Sequence, residues 1–253
     1  MRIAIMGSGG LGGYFGARLA HGGADVHFIA RGKHLQAMKS DGLRIEGPSS
    51  LNLPRVNATD DPATHIMGGV GYVATTIDRP GVIRQTGPMQ RLLFGEFDGS
   101  RSPRGEALLA ACLAGGINAE FSEHILREIW QKYVFLVGLS GTTTTMRRTI
   151  GPIRENPQTR AFLLDVMREV VAVGRAQGVD LAEDYAEVRL KLADDVSPDM
   201  TSSMHHDLER GNRLEVRWLA GGVVELGRAK GVPTPLNRAI ADILALHTAG
   251  KSP

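Results

Sequence analysis

Arg2-Ile3-Ala4-Ile5-Met6-Gly7-Ser8-Gly9-Gly10-Leu11-Gly12 opens the chain, and Tyr14-Phe15-Gly16-Ala17-Arg18-Leu19-Ala20 follows it. A short apolar run ends in glycines and gives way to a helix-like run, which predicts a strand, a tight turn and a helix. Gly7, Gly9 and Gly12 have the G-x-G-x-x-G spacing of a dinucleotide-binding turn. Gly7 allows a sharp turn off the strand. At Gly9 the missing Cβ lets a pyrophosphate approach the backbone, and at Gly12 it lets the helix pack close to the strand. Ser8, Gly10 and Leu11 complete the loop, whose phosphates would sit at the positive end of the helix.

The chain holds 32 glycines, so three at this spacing decide little by themselves. The context decides. A second apolar run, Asp25-Val26-His27-Phe28-Ile29-Ala30, follows at βαβ spacing. At its end an NAD enzyme keeps an acid for the ribose 2′-hydroxyl. Here Arg31 stands there, with Lys33 close behind and no Asp or Glu beside it. A cation at that point suits a 2′-phosphate, so the expected cofactor is NADP(H). The competing reading of Arg31 is a solvated loop cation.

A chain of 253 residues can bury a sizeable core and form one or two domains. Its 42% hydrophobic and 22% charged residues are ordinary for a soluble globular protein. A net charge of +2 with no basic run disfavours nucleic-acid binding. With Cys112 alone there is neither an internal disulfide nor a thiolate metal cluster, and Ala110-Ala111-Cys112-Leu113 reads as packing. No apolar run reaches membrane-spanning length, and the chain starts directly in its first strand. The expected location is cytoplasmic.

Further along, a helix is predicted over about 34–40 and a strand over 43–46, with a short extended run over 53–58. Segments 68–77, 82–86 and 90–97 read as an antiparallel meander. A helix over 104–113 and a last strand over 116–121 follow. From Glu123 the chain reads as helix, with Ile125, Ile129, Trp130, Tyr133 and Leu136 making an apolar face. Asn156-Pro157 has the N-cap and N1 pattern of a long helix through Gln177. Further helices are expected over 182–194, from Ser197-Pro198 toward Leu208, over 214–230 and over 234–247. The fold class is therefore α/β: an N-terminal Rossmann-type dinucleotide-binding domain over 1–120, then an all-helical substrate and catalytic domain over 121–253.

Two stretches of the helical half could do chemistry. One is Glu128-Ile129-Trp130-Gln131-Lys132. The other is Thr201-Ser202-Ser203-Met204-His205-His206-Asp207, with Arg213-Leu214-Glu215 after it. Together with Gly7–Gly12, Arg31, Asp41-Gly42-Leu43, Gly68-Gly69-Val70, Pro80-Gly81-Val82 and Leu214-Glu215-Val216, these stretches resemble the ketopantoate reductases (2-dehydropantoate 2-reductases) in order and nearly from end to end. The resemblance implies NADPH reduction of the 2-keto group of ketopantoate to pantoate, on the route to coenzyme A. It implies that Lys132 matches the catalytic lysine that protonates or polarises the substrate oxygen, Glu215 the substrate-binding glutamate, and Ser203 a serine that hydrogen-bonds the substrate. The physics agrees, because a keto oxygen gains negative charge during reduction and an ammonium beside it stabilises that charge. A small keto acid is the expected partner, with homodimerisation left open.

Plainer readings compete. Glu128 and Lys132 at i,i+4 suit a surface pair worth roughly 0.3–0.5 kcal/mol. Glu215 at a helix start would favour the helix dipole, and Ser202 and Ser203 could be ordinary first-turn residues. His205-His206 with Asp207 suggests a metal only weakly, since adjacent helical residues point apart. No metal is expected. Thr142 to Thr145 reads as helix-end packing.

The sequence also departs from the family. One and two turns beyond the catalytic lysine the family carries asparagines, and here Leu136 and Ser140 stand there. Between Ala63 and Thr64 the family carries about two more strands and their helices, on the order of 50 residues, which complete the parallel sheet. Its lysine and asparagine from that segment have no counterpart. Without strand four, strand one becomes an edge. Either the protein carries a deletion, and is then inactive or completed by a partner chain, or the written sequence closes up a stretch. The intactness of every other element favours the second. The test is the spacing of consecutive Cα atoms from Pro62 to Met67, about 3.8 Å across trans peptides. The alternatives to a ketopantoate reductase are a catalytically impaired NADP-binding regulatory module and a related hydroxyacid dehydrogenase with another substrate.

Overall fold

The computed structural model describes residues 2–60 and 67–251. The junction at Ala63-Thr64, and with it the Cα spacing that tests it, lies outside the described residues. The chain divides into two compact units, Met1–Ile125 and Leu126–Pro253.

The first unit is mixed α/β. Strand β1 (Arg2–Met6) leads into helix α1 (Gly10–His21), which returns to β2 (Asp25–Ile29). Helix α2 (Gly32–Asp41), β3 (Leu43–Glu46), β4 (Leu51–Leu53) and β5 (Asn57–Thr59) follow. Then come β6 (Gly68–Arg79), β7 (Val82–Gly95), α3 (Pro103–Ala114) and β8 (Ala119–Phe121). Strands β1, β2 and β5 form a parallel sheet in that order, with Ile3 opposite Val26 and Phe28 opposite Ala58. Among the described residues β1 is therefore an edge. A second sheet runs β4-β3-β7-β6, and β8 pairs parallel with the far end of β7.

Helix α1 lies between the two sheets. A Cβ on Gly16 would stand 2.3 Å from the Phe28 ring of the first sheet, and one on Gly13 would stand 3.2 Å from Ile83 of the second. Glycine on both faces lets each sheet approach the helix backbone. Tyr14, Phe28, Met38, Ile45 and Ile83 are fully or almost fully buried around it and form the core of this unit.

The meander differs from expectation. Residues 82–86 and 90–95 are parts of one strand, β7, paired antiparallel with β6, and Glu96 and Phe97 lie beyond its end. Pairing jumps from Val73–Gln90 to Thr75–Gln85, so Thr86–Met89 loops out opposite Ala74. Gly87, at φ +83°, and Pro88 explain the interruption that reads as a turn.

The second unit is helical: α4 (Ile125–Met146), α5 (Ile150–Glu155), α6 (Pro157–Ala176), α7 (Tyr185–Asp195), α8 (Ser203–Arg210), α9 (Ala220–Lys230) and α10 (Pro235–Leu244). Asn156 caps α6 as expected, accepting from the Gln158 and Thr159 N–H groups at 2.9 and 3.2 Å. Val134, Val137, Val166, Met167, Val170 and Ile240 form its core, each 0% exposed.

Two predicted helices are corrected. Ser197-Pro198 does not open a helix. The carbonyls of Pro198 and Met200 instead accept from the Gly151 and Ile150 N–H groups at the start of α5, at 2.9 and 2.8 Å. Helix α8 begins at Ser203, where the Ser202 hydroxyl accepts from the His205 N–H at 3.1 Å. Nor is 214–230 continuous: a 3-10 turn, Glu215–Arg217, precedes α9, and Leu219 leaves helical conformation at φ −96°, ψ −106°.

Candidate active site

The turn between β1 and α1 has the geometry that its glycines predict. Gly7 sits at φ +83°, and an added Cβ on Gly9 would meet nothing within 4 Å. On Gly12 an added Cβ would stand 2.3 Å from the Gly7 carbonyl oxygen and 3.1 Å from Ile5, so the close packing of helix on strand excludes any side chain there. Ser8 is buried, and its hydroxyl and N–H both donate to the Ile29 carbonyl, at 3.0 and 3.2 Å. This pins the turn to the end of β2.

His34 pins it from the other side. Its Nδ1 accepts from the Gly81 N–H at 3.5 Å, so Nε2 carries the proton and donates to the Ser8 carbonyl at 2.8 Å. Sequence reasoning missed this role, because a histidine in the first turn of a surface helix carries no signal of what it touches.

The turn presents unclaimed donors. The first intrahelical bond runs from the Gly13 N–H to the Gly9 carbonyl at 2.7 Å. Among the described residues, the Gly10, Leu11 and Gly12 N–H groups have no protein acceptor, and the first turn holds no acid. Open space beside Gly7 and Gly9, free N–H groups and the positive helix end suit a pyrophosphate. Arg31, exposed and extended, caps α2 two residues beyond β2 and has no ion-pair partner among the described residues. The residues present therefore fit a dinucleotide with an additional anionic group at Arg31.

In the second unit α4 carries Lys132, Leu136 and Ser140 at successive i+4 positions. Lys132 is half-buried, and desolvation lowers its ammonium below the ordinary lysine value. That is the direction in which a lysine becomes a better proton donor. Leu136 packs against the helical core.

Ser140 is 1% exposed, and its hydroxyl has no partner among the described residues. The threonines after it are packed as expected. Thr142, Thr143 and Thr145 each donate to the carbonyl four residues back, at 2.8, 2.7 and 2.7 Å, whereas the Thr144 hydroxyl has no partner among the described residues.

Helix α4 is tied to the other two predicted positions. The Thr143 and Ser202 hydroxyls lie 3.1 Å apart, which joins α4 to the N-terminus of α8, where Ser203 is the exposed first residue. Tyr133, next to Lys132, donates to the Trp218 and Leu219 carbonyls, both at 2.9 Å. With Trp218 O engaged by the phenol, the helix is interrupted there. Glu215 opens the resulting 3-10 turn, and its carboxylate is exposed with no partner among the described residues. The sequence shows Tyr133 only as part of an apolar face, since nothing local shows that its hydroxyl reaches a carbonyl 85 residues away.

Other candidates are quiet. Burial pushes the Cys112 thiol up to about 12, which leaves it protonated and inert. Among the described residues no group of three His, Cys, Asp or Glu could hold a metal. His205 and His206 instead both face Glu209, at 3.2 and 3.5 Å. No helix among the described residues is long and apolar enough to cross a membrane.

The chain matches two family models: "Ketopantoate reductase PanE/ApbA" over residues 3–64 and "Ketopantoate reductase PanE/ApbA C terminal" over 124–248. It is 27% identical to an uncharacterized oxidoreductase, YkpB, of Bacillus subtilis, covering 99% of this chain and all of that protein. It is 28% identical to a 2-dehydropantoate 2-reductase of Mesorhizobium japonicum, covering 93% of this chain and 94% of the relative. The crystal structure of a PanE/ApbA family ketopantoate reductase from Ralstonia eutropha superposes with a TM-score of 0.84 at 28% identity, covering 98% of each chain. The alignment with the Bacillus protein runs over 305 positions, 52 more than the 253 residues of this chain. The N-terminal family match stops at residue 64 and the C-terminal one starts at residue 124. Matched over both units, with an oxidoreductase family's glycine turn and helical half in order, the chain belongs to the ketopantoate reductase PanE/ApbA family.

Proposed function

We propose that the chain is an NADPH-dependent reductase of a 2-keto acid, with 2-dehydropantoate as the first substrate to test. The observation that carries this reading is the desolvated Lys132 on α4. It rests also on the unclaimed N–H groups at the start of α1 and the unpaired Arg31. The nicotinamide would supply hydride to the keto carbon. Lys132 would hold its ammonium against the keto oxygen, stabilise the developing charge and give that oxygen a proton. Glu215, exposed at its 3-10 turn, would accept a hydrogen bond from a substrate hydroxyl, and Ser203 would donate one at the start of α8. Arg31 would meet a 2′-phosphate, and its freedom from any acid supports NADPH over NADH.

The test is NADPH consumption across a panel of 2-keto acids. Turnover with at least one, and slower turnover with NADH, is expected. No turnover with any would remove the reading. A second reading, a nucleotide-binding module without catalysis, is favoured by β1, which lacks a second neighbour among the described residues. Tight NADPH binding without turnover, unchanged in Lys132→Ala, would support it.

A further inference from the structure

Strand β6 runs along α1. Its face toward the helix is Gly71, Val73 and Thr75, at the strand period of two. A Cβ on Gly71 would stand 2.7 Å from the Phe15 ring and 2.9 Å from Leu11, and Val73 packs against the same core. This face is apolar until it reaches the glycine turn. There it becomes Thr75. A Cβ on Gly10 would stand 2.8 Å from the Thr75 carbonyl oxygen and 2.9 Å from the Thr75 hydroxyl. Adding a Cα–Cβ bond of about 1.5 Å, the hydroxyl lies within about 4.5 Å of the Gly10 Cα, at the start of α1.

The Thr75 carbonyl does not cap the helix, because the Gly10 and Leu11 N–H groups donate to no protein acceptor among the described residues. The Thr75 hydroxyl also has no partner among them. Pairing of β6 with β7 is irregular at this point, between Val73 and Thr75, and such irregularities re-aim side chains beside functional sites. A hydroxyl thus stands half-exposed beside Gly10, the first residue of α1, where a valine would serve strand and packing equally well.

We propose that Thr75 is a further cofactor-binding residue, whose hydroxyl donates to the pyrophosphate held by the start of α1. The proposal rests on the dinucleotide reading of the glycine turn and adds a contact from β6, an element outside the βαβ unit. Gly10 is then required for space, since any side chain there would displace Thr75 from the turn.

The test uses the whole protein and direct binding by calorimetry, with ADP, which carries a pyrophosphate, and 2′-AMP, which does not. Thr75→Val keeps shape and strand preference and removes the donor, while Thr75→Ser keeps the donor. Loss of a hydrogen bond to a charged group predicts roughly tenfold or weaker ADP binding for Thr75→Val. 2′-AMP affinity should be unchanged, and Thr75→Ser should stay near wild type. Equal ADP affinity in wild type and Thr75→Val would overturn the proposal and leave the glycine-turn reading intact. So would parallel losses for both nucleotides, or a loss shared by Thr75→Ser, which would point to packing. A wild-type protein that binds neither nucleotide would overturn both.

Discussion

Lys132 concentrates the chemistry at the scale of single residues. Removing its ammonium should remove an interaction made chiefly in the transition state, so Lys132→Ala is expected to lower kcat by at least about 10²-fold. An effect confined to KM would make it a binding residue instead. Its depressed pKa adds a pH signature. The donor must be protonated, so reduction should fail as pH rises through a value below that of an ordinary lysine. An activity flat well into the range of free lysine would contradict the assignment. Arg31→Ala should raise the NADPH dissociation constant far more than that for NADH, as binding titrations would show; equal losses would dissociate Arg31 from the 2′-phosphate. Glycine roles were legible because backbone sterics are local: φ at Gly7 and the close approach at Gly12 follow from spacing alone. The burial of Lys132 was not, because an i,i+4 pair with Glu128 looks the same whether the helix face is wet or dry.

Elements show where local signals suffice and where tertiary bonds overrule them. The Asn156-Pro157 cap was readable, since both its signals lie within four residues of the helix start. The break at Leu219 was not, because it depends on a tyrosine from α4. Tyr133→Phe should free the Trp218 and Leu219 carbonyls and loosen the turn that begins at Glu215. The expected outcome is a raised KM for the keto acid with kcat little changed, and a stability loss of about 1 kcal/mol for the missing hydrogen bonds. Steady-state kinetics and denaturant melts would check this. A fall in kcat with unchanged KM would show that the turn does not position a substrate contact. Ser197-Pro198 misled in a similar way. The pattern of a helix start is present, yet the carbonyls that follow are used by α5.

For the whole molecule, the two-unit division follows the change from glycine-rich α/β sequence to continuous helical periodicity, and each unit has its own core. Stability of the first unit should depend on acid. Arg104, and after it Ser102, hold the Glu96 carboxyl at about 2, well below its ordinary 4.5. Its contribution is complete above about 4.5 and is lost as pH falls through about 2. Glu96→Gln should flatten the acid limb of thermal stability in that window, and an unchanged limb would show the pair to be inconsequential. The parallel pairing of β1 with β2 was legible, because strand order follows from the βαβ rule. What the junction itself does was not, since no periodicity or turn signal spans it. The central claim is hydride transfer to a keto carbon, and it is tested most directly by supplying NADPH deuterated at the transferred position with 2-dehydropantoate and related 2-keto acids. NMR of the product should show deuterium at carbon 2 of the hydroxy acid, one per NADPH consumed and absent with Lys132→Ala. NADPH bound tightly by the wild-type protein, with no deuterated hydroxy acid formed from any of them, would contradict the account.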